Sequence, residues 1–288
     1  MQVIRDAELP MVERKETQRE GRFIEKTYLQ GRPGTPDNFK FYMVQQFGDF
    51  YSPRHKHNFE QVRLQLSGTT SYDKDGTLKP GVLGYFPEGT PYGPTTIKTD
   101  ESLIVILQAG GPSRSGYASA AERETANHEL RKTGTFRDGV YFPNPGTGRK
   151  NQDSFEACWE FINKRKLVYP EPRFQRPVFM NTDSFPWRPL ADVRGVAEKE
   201  LGSFELGFGF RYLRIDPGAS VTVRGRTICY VLGGGGAAGG EAFGKSDVIY
   251  TDASETATIK ATTTTELFAI SMLVLDAAAV PQADSAAA

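Results

Sequence analysis

The stretch from Pro53 to Pro94 is the part of this chain that most limits how it can fold. It opens Pro-Arg-His-Lys-His, runs on as Asn-Phe-Glu-Gln-Val-Arg-Leu-Gln-Leu-Ser-Gly, and later closes in a turn rich in proline and glycine. Side chains two apart on an extended strand leave by the same face. His55 and His57 can therefore grip one ion between them. By the same alternation Gln61, Arg63 and Gln65 share one face of the following strand, while Glu60, Val62, Leu64 and Leu66 share the other. A sheet lined by glutamine, arginine and glutamine is built to hold something polar. A buried arginine without a partner is costly, so Arg63 is expected to meet an internal acid, the cavity mouth, or a carboxylate, phenolate or enolate of a bound molecule.

The rest of the N-terminal half has the same texture. Aromatic and β-branched residues mark a strand over Phe39–Phe47, and short strands follow around residue 55 and over 61–66, 82–86 and 103–108. Gly68, the turn at 73–76 and Gly89 separate them, and no helical period appears. Evenly spaced short strands of this kind predict an all-β antiparallel sandwich or barrel. Residues 1–37 are polar, with turn signals at Gly31, Pro33, Gly34 and Pro36. They read as a lead-in arm of a kind that often crosses to a partner subunit.

The pattern changes after Gly110. Ser119 and Glu122 have the spacing of a capping box, a helix follows to about Lys132, and Gly134 suits its stop. A second helix is expected from near Asp153, with Phe155, Cys158, Trp159 and Ile162 along one face. From Val178 the strand texture returns in the order seen over 39–108, which predicts an internal duplication. The glycine run from Gly233 to Gly240 lacks the lysine of a phosphate loop and reads as a flexible hairpin end. The tail from Asp276, rich in alanine, is expected to be disordered. The expected organisation is a first unit over 1–112, a helical connector over 113–170, a second unit over 171–276 and a tail over 277–288.

Composition narrows the function. The chain carries 35 basic and 35 acidic residues. An even balance argues against a nucleic-acid groove and leaves a small molecule as the expected partner. Cys158 and Cys229 are the only cysteines and read as buried or free thiols, not a disulfide framework. The longest aliphatic run, 103–107, is far too short to span a membrane, and the first residues carry no apolar leader. A soluble, cytoplasmic protein is expected.

Residues 48–94 resemble the two signature motifs of the cupin superfamily. His55, His57, Gln61 and Gly68 hold the spacing of its first motif, with Gly48 one residue further upstream than usual. Gly81, Pro87 and Gly89 fit the second, but Tyr92 stands where that motif has a histidine and Thr96 where it has an asparagine. Matching Gly234 to Gly68 puts Thr227, Val223 and Val221 at the positions of Gln61, His57 and His55, so the second half looks like a cupin without ligands. The resemblance implies a bicupin: two cupin-type antiparallel β-barrels of the jelly-roll kind with a helical connector, commonly assembled as a homodimer.

It also implies one metal site, held by His55, His57, Gln61 and Tyr92, with the neutral glutamine in place of the family's glutamate. A register shift that offers Glu60 instead runs against the strand's alternation. Two imidazoles suit Fe, Mn, Ni, Cu or Zn, and Fe(II) is favoured. Three functions follow. The first is an Fe(II) dioxygenase of a phenolic or dicarbonyl compound. The second is a non-oxidative isomerase, lyase, cyclase or hydrolase in which the ion is a Lewis acid and Tyr92 an acid/base. The third is a metal-free module that binds a small molecule. Arg63, Gln65 and Tyr92 are the expected substrate contacts, with Tyr92 and Arg63 in catalytic roles. His128 falls on the first helix and reads as solvated.

Overall fold

A computed structural model describes residues 1–14, 20–146, 150–273 and 275. The chain divides into two compact units, Met11–Phe179 with Leu275–Ala288, and Met1–Pro10 with Met180–Val274. The tail expected to be disordered lies outside the described residues.

In the first unit the strands Val82–Phe86, Phe59–Ser67, Glu101–Gly110, Phe39–Phe47 and Phe23–Gln30 lie side by side, antiparallel throughout. Short pairs, Tyr51–Ser52 with Thr95–Thr96 and Thr70–Ser71 with Thr77–Leu78, make small separate sheets. The strands thus pair as separate antiparallel sheets and do not close into one barrel. Phe23, Tyr42, Val44, Phe50, Ile97, Ile104 and Ile106 form one apolar cluster of this unit.

Both helices expected from the sequence belong to this unit. Helix α1, Ala120–Leu130, starts at the Ser119–Glu122 capping box, and helix α2, Ser154–Asn163, is capped by Asp153. Phe155 and Trp159 of α2 pack with Phe59, Tyr117 and Leu167, so the apolar stripe of the helix covers the end of the strand that carries Gln61.

The second unit repeats the plan. Val248–Thr251, Thr227–Gly233, Thr265–Ser271, Gly209–Ile215 and Val196–Ser203 pair in the same antiparallel order as their counterparts. A four-stranded sheet adds Ser220–Arg224, Thr256–Ala261, Gly236–Ala238 and Glu241–Phe243. The duplication shows best at two glycines. Gly68 and Gly234 both adopt the left-handed region, at φ +67° and +80°, and a Cβ on either would strike a backbone carbonyl, that of Glu101 or of Thr264. Only glycine fits there without strain. The first ten residues join this unit: Gln2–Ile4 extends its seven-stranded sheet by pairing with Val248, Ile249 and Tyr250. The lead-in arm therefore closes on its own chain over this stretch.

Candidate functional site

Two parallel choices of the backbone gather the site. Strand alternation turns Gln61, Arg63 and Gln65 to the inner face of the first unit, as expected from the sequence. An isolated bridge then pairs His55 with Tyr92, through His55 N to Tyr92 O at 3.0 Å and Tyr92 N to His55 O at 2.9 Å. The rings of His55 and His57 lie 4.9 Å apart, centre to centre, and those of His55 and Tyr92 lie 4.6 Å apart. His57 also stacks flat on Phe59 at 4.2 Å. His57, Gln61, Arg63 and Tyr92 are all buried.

The Tyr92 hydroxyl is the hub. It lies 3.2 Å from His57 Nε2 and accepts from Arg63 Nη2 at 2.8 Å. The Gln61 amide is 3.2 Å away. Guanidinium N–H groups cannot face amide N–H groups, so the amide turns its oxygen to Arg63. That oxygen then accepts from Arg63 Nε at 2.9 Å and Nη2 at 3.0 Å, and from the Tyr92 hydroxyl at 3.2 Å. Arg63 also lies against two neighbouring rings, 4.7 Å from the centre of Phe86 and 4.9 Å from that of Tyr92, which are themselves 4.6 Å apart. Aromatic faces attract a cation and help hold it out of water.

Residues that the sequence reading did not single out complete the wall. Gln108 sits directly across from Gln61 in the sheet, with the amides 2.7 Å apart, and the Tyr117 hydroxyl is 2.9 Å from the far end of Gln108. The signal for Gln108 is present in the alternation of the strand Glu101–Gly110. Two narrow clefts, with cavity volumes of about 20 and 40 Å³, share Ser52, Gln108 and Arg123 as lining residues. Arg63 lines the first, His55 and His57 the second. Arg123 comes from α1, and nothing in its local sequence marks it. Buried Lys40 reaches Glu25 at 2.6 Å, an internal ion pair on the wall of the first cleft.

Gln65 is placed differently from the expectation. It is buried, but its amide donates to Ser67 O at 2.7 Å and accepts from Thr70 Oγ1 at 3.0 Å, so it braces the chain around Gly68. Glu60 faces the opposite side of the sheet, as alternation requires. There it meets Arg173 and the Tyr85 hydroxyl, and Arg173 also reaches Glu88 at 3.1 Å. Burial pushes the Glu60 carboxyl up to about 7 against the pull of Arg173. His128 is exposed beside Glu129.

The residues implied as metal ligands converge, but their donor chemistry does not fit a resident divalent ion. The oxygens of Gln61 and Tyr92 both accept from a guanidinium, and an ion placed on them would sit against that fixed positive charge. Among the described residues no three His, Cys, Asp or Glu side chains cluster as a metal site. One detail does suit ligation: His55 Nδ1 lies 2.6 Å from Pro53 O, the backbone contact that fixes a ligating histidine's tautomer.

No protein-family model and no curated protein matches the chain. Solved structures do match. A protein of Nostoc punctiforme, provisionally assigned as a dioxygenase, superposes with a TM-score of 0.63 at 12% identity, over 98% of this chain and 87% of that one. Oxalate decarboxylase of Bacillus subtilis, described for its Mn(II) centres, gives 0.50 at 13% identity, over 94% and 77%. The chain has the bicupin fold. Streptomyces albus HEPD, solved with 2-hydroxyethylphosphonate and Fe(II) bound, gives 0.55 at 13% identity over 97% and 77%. Among the described residues no helix is long and apolar enough to cross a membrane.

Proposed function

We propose that the first jelly roll is an active unit that moves a proton on a small organic anion, as an isomerase, lyase, cyclase or hydrolase would. Arg63 holds the anion, and the Tyr92 and His57 side chains carry the proton. The observation behind this reading is the Tyr92 hydroxyl, which lies within hydrogen-bond distance of both an imidazole nitrogen and a guanidinium. Such an oxygen can pass a proton to or from the imidazole while the guanidinium offsets charge that develops beside it. Arg63, Lys40 and Arg123 on the wall of the cleft, with Glu25 the acidic lining residue, favour a negatively charged guest.

The test titrates the protein calorimetrically with a panel of carboxylates, phenolates and 1,3-dicarbonyls, then follows deuterium exchange into bound ligands by NMR in heavy water. Arg63→Gln is expected to weaken binding at least about tenfold, and Tyr92→Phe to slow exchange about a hundredfold or more with binding little changed. A wild type that binds none of them, or a Tyr92→Phe that exchanges at the wild-type rate, overturns the reading.

A second reading is the Fe(II) dioxygenase of a phenolic or dicarbonyl compound. The His55 contact to Pro53 and the metal-bearing neighbours favour it. His55 and His57 would then hold Fe(II), or Mn, Ni, Zn or Cu, and oxygen uptake with the same panel is expected only here. Binding without exchange or oxygen uptake would mark a metal-free binding module.

A further inference from the structure

We infer that Arg63 takes the electrostatic place of a metal ion, so that the first jelly roll is a metal-independent site built around a fixed guanidinium. The inference uses the same side chains as the proton-transfer reading but not the existence or identity of a substrate.

Three observations carry it. First, the two positions where the resemblance calls for anionic and imidazole ligands hold Gln61 and Tyr92, and both direct oxygen lone pairs at Arg63, through distances of 2.9, 3.0 and 2.8 Å. An amide oxygen and a phenol suit a guanidinium, a rigid fork of five N–H donors. Second, the guanidinium is placed by packing as well as by hydrogen bonds. It stands 4.7 and 4.9 Å from the ring centres of Phe86 and Tyr92, on a strand paired on both sides, and is 6% exposed. A cation so fixed needs no reorganisation when a negative guest arrives. Third, a divalent ion would have to compete with that cation for the same oxygens. Two like charges sharing ligands repel strongly in a buried site, so occupancy by one excludes the other.

The experiment is metal binding by the full chain. Protein expressed in medium replete with iron, manganese and zinc is analysed by mass spectrometry for metal, then titrated with Co(II) and read by visible absorption. Wild type is expected to carry no stoichiometric metal and to show no Co(II) spectrum that His57→Ala removes. The double change Gln61→Glu with Arg63→Met is expected to tighten Co(II) binding by at least about tenfold, in a manner that His57→Ala abolishes. Arg63→Met alone serves if the double variant does not fold, as judged by circular dichroism.

Stoichiometric metal in wild type, lost in His57→Ala, overturns the inference. So does a folded Arg63→Met protein that binds Co(II) no better than wild type. Calorimetry on the same samples separates this outcome from failure of the proposed function. Metal in a wild type that still binds anions through Arg63 sinks only the inference, whereas a metal-free wild type that binds no anion sinks only the proposed function.

Discussion

The two jelly rolls share a strand order and a pivotal glycine, yet their interiors have opposite chemistry. Counting back from Gly68 and from Gly234, the inward residues Gln61, Arg63 and Gln65 correspond to Thr227, Cys229 and Val231. Cys229 and Val231 are fully buried in a cluster with Leu213, Ile215, Ile249, Ile259 and Leu267. Burial pushes the Cys229 thiol up to about 12, so it behaves as a small apolar side chain. The same backbone thus makes a dry core in one copy and a polar site in the other. What differs is the side chain at every second position of one strand and its neighbours.

The comparison breaks most sharply if the two chemistries are exchanged. Cys229→Arg forces a charge into the apolar core and is expected to cost at least about 3–5 kcal/mol, read from urea unfolding midpoints. Arg63→Met, the reverse change, is expected to stay within about 2 kcal/mol of wild type because an apolar side chain relieves a desolvated cation. A tolerated Cys229→Arg would mean that the second interior is not the packed core described above.

The polar character of the first unit extends to the back of its sheet, and pH tests that. Glu60 has a carboxyl raised from 4.5 to about 7. Between those values the folded state holds the proton more tightly than the unfolded chain. Its contribution to stability is therefore full below about 4.5, falls as pH rises, and is gone above about 7, a change of up to about 3 kcal/mol. Glu60→Gln should flatten this slope in unfolding midpoints measured across that window. An unchanged slope would remove Glu60 as its source.

The smallest expected effect sharpens the picture within the polar face itself. Gln65 serves Ser67 and Thr70, so Gln65→Ala is expected to cost about 1–2 kcal/mol in thermal or urea unfolding while leaving anion affinity unchanged. A large loss of affinity would return Gln65 to the site.

Much of this was legible in the sequence because strand alternation is a local rule. It placed Gln61 and Arg63 inward and Glu60 outward, while a capping box marked the first helix, an apolar stripe the second, and paired glycines both copies of the fold. Gln65 shows the limit of the rule: facing inward does not say whether a side chain meets the cavity or its own backbone. Arg123 and Arg173 show another. Each reaches its place because a distant segment docks on the sheet, and such long-range placement leaves no periodic trace. The short first strand, Gln2–Ile4, joined the second unit for the same reason.

The placement of Gln61 and Arg63 on one face also bears on how such a site could change over generations. Glutamine and glutamate codons differ by one base, so a carboxylate at position 61 is a short mutational step. With Arg63 in place, that carboxylate would close on the guanidinium as a buried ion pair and silence the positive end of the cleft. Loss of Arg63 first would remove the fixed cation and open the oxygens to a metal, but with a neutral glutamine where the stronger carboxylate ligand is needed. Either single step passes through an idle intermediate, so the two residues are expected to be inherited or replaced together.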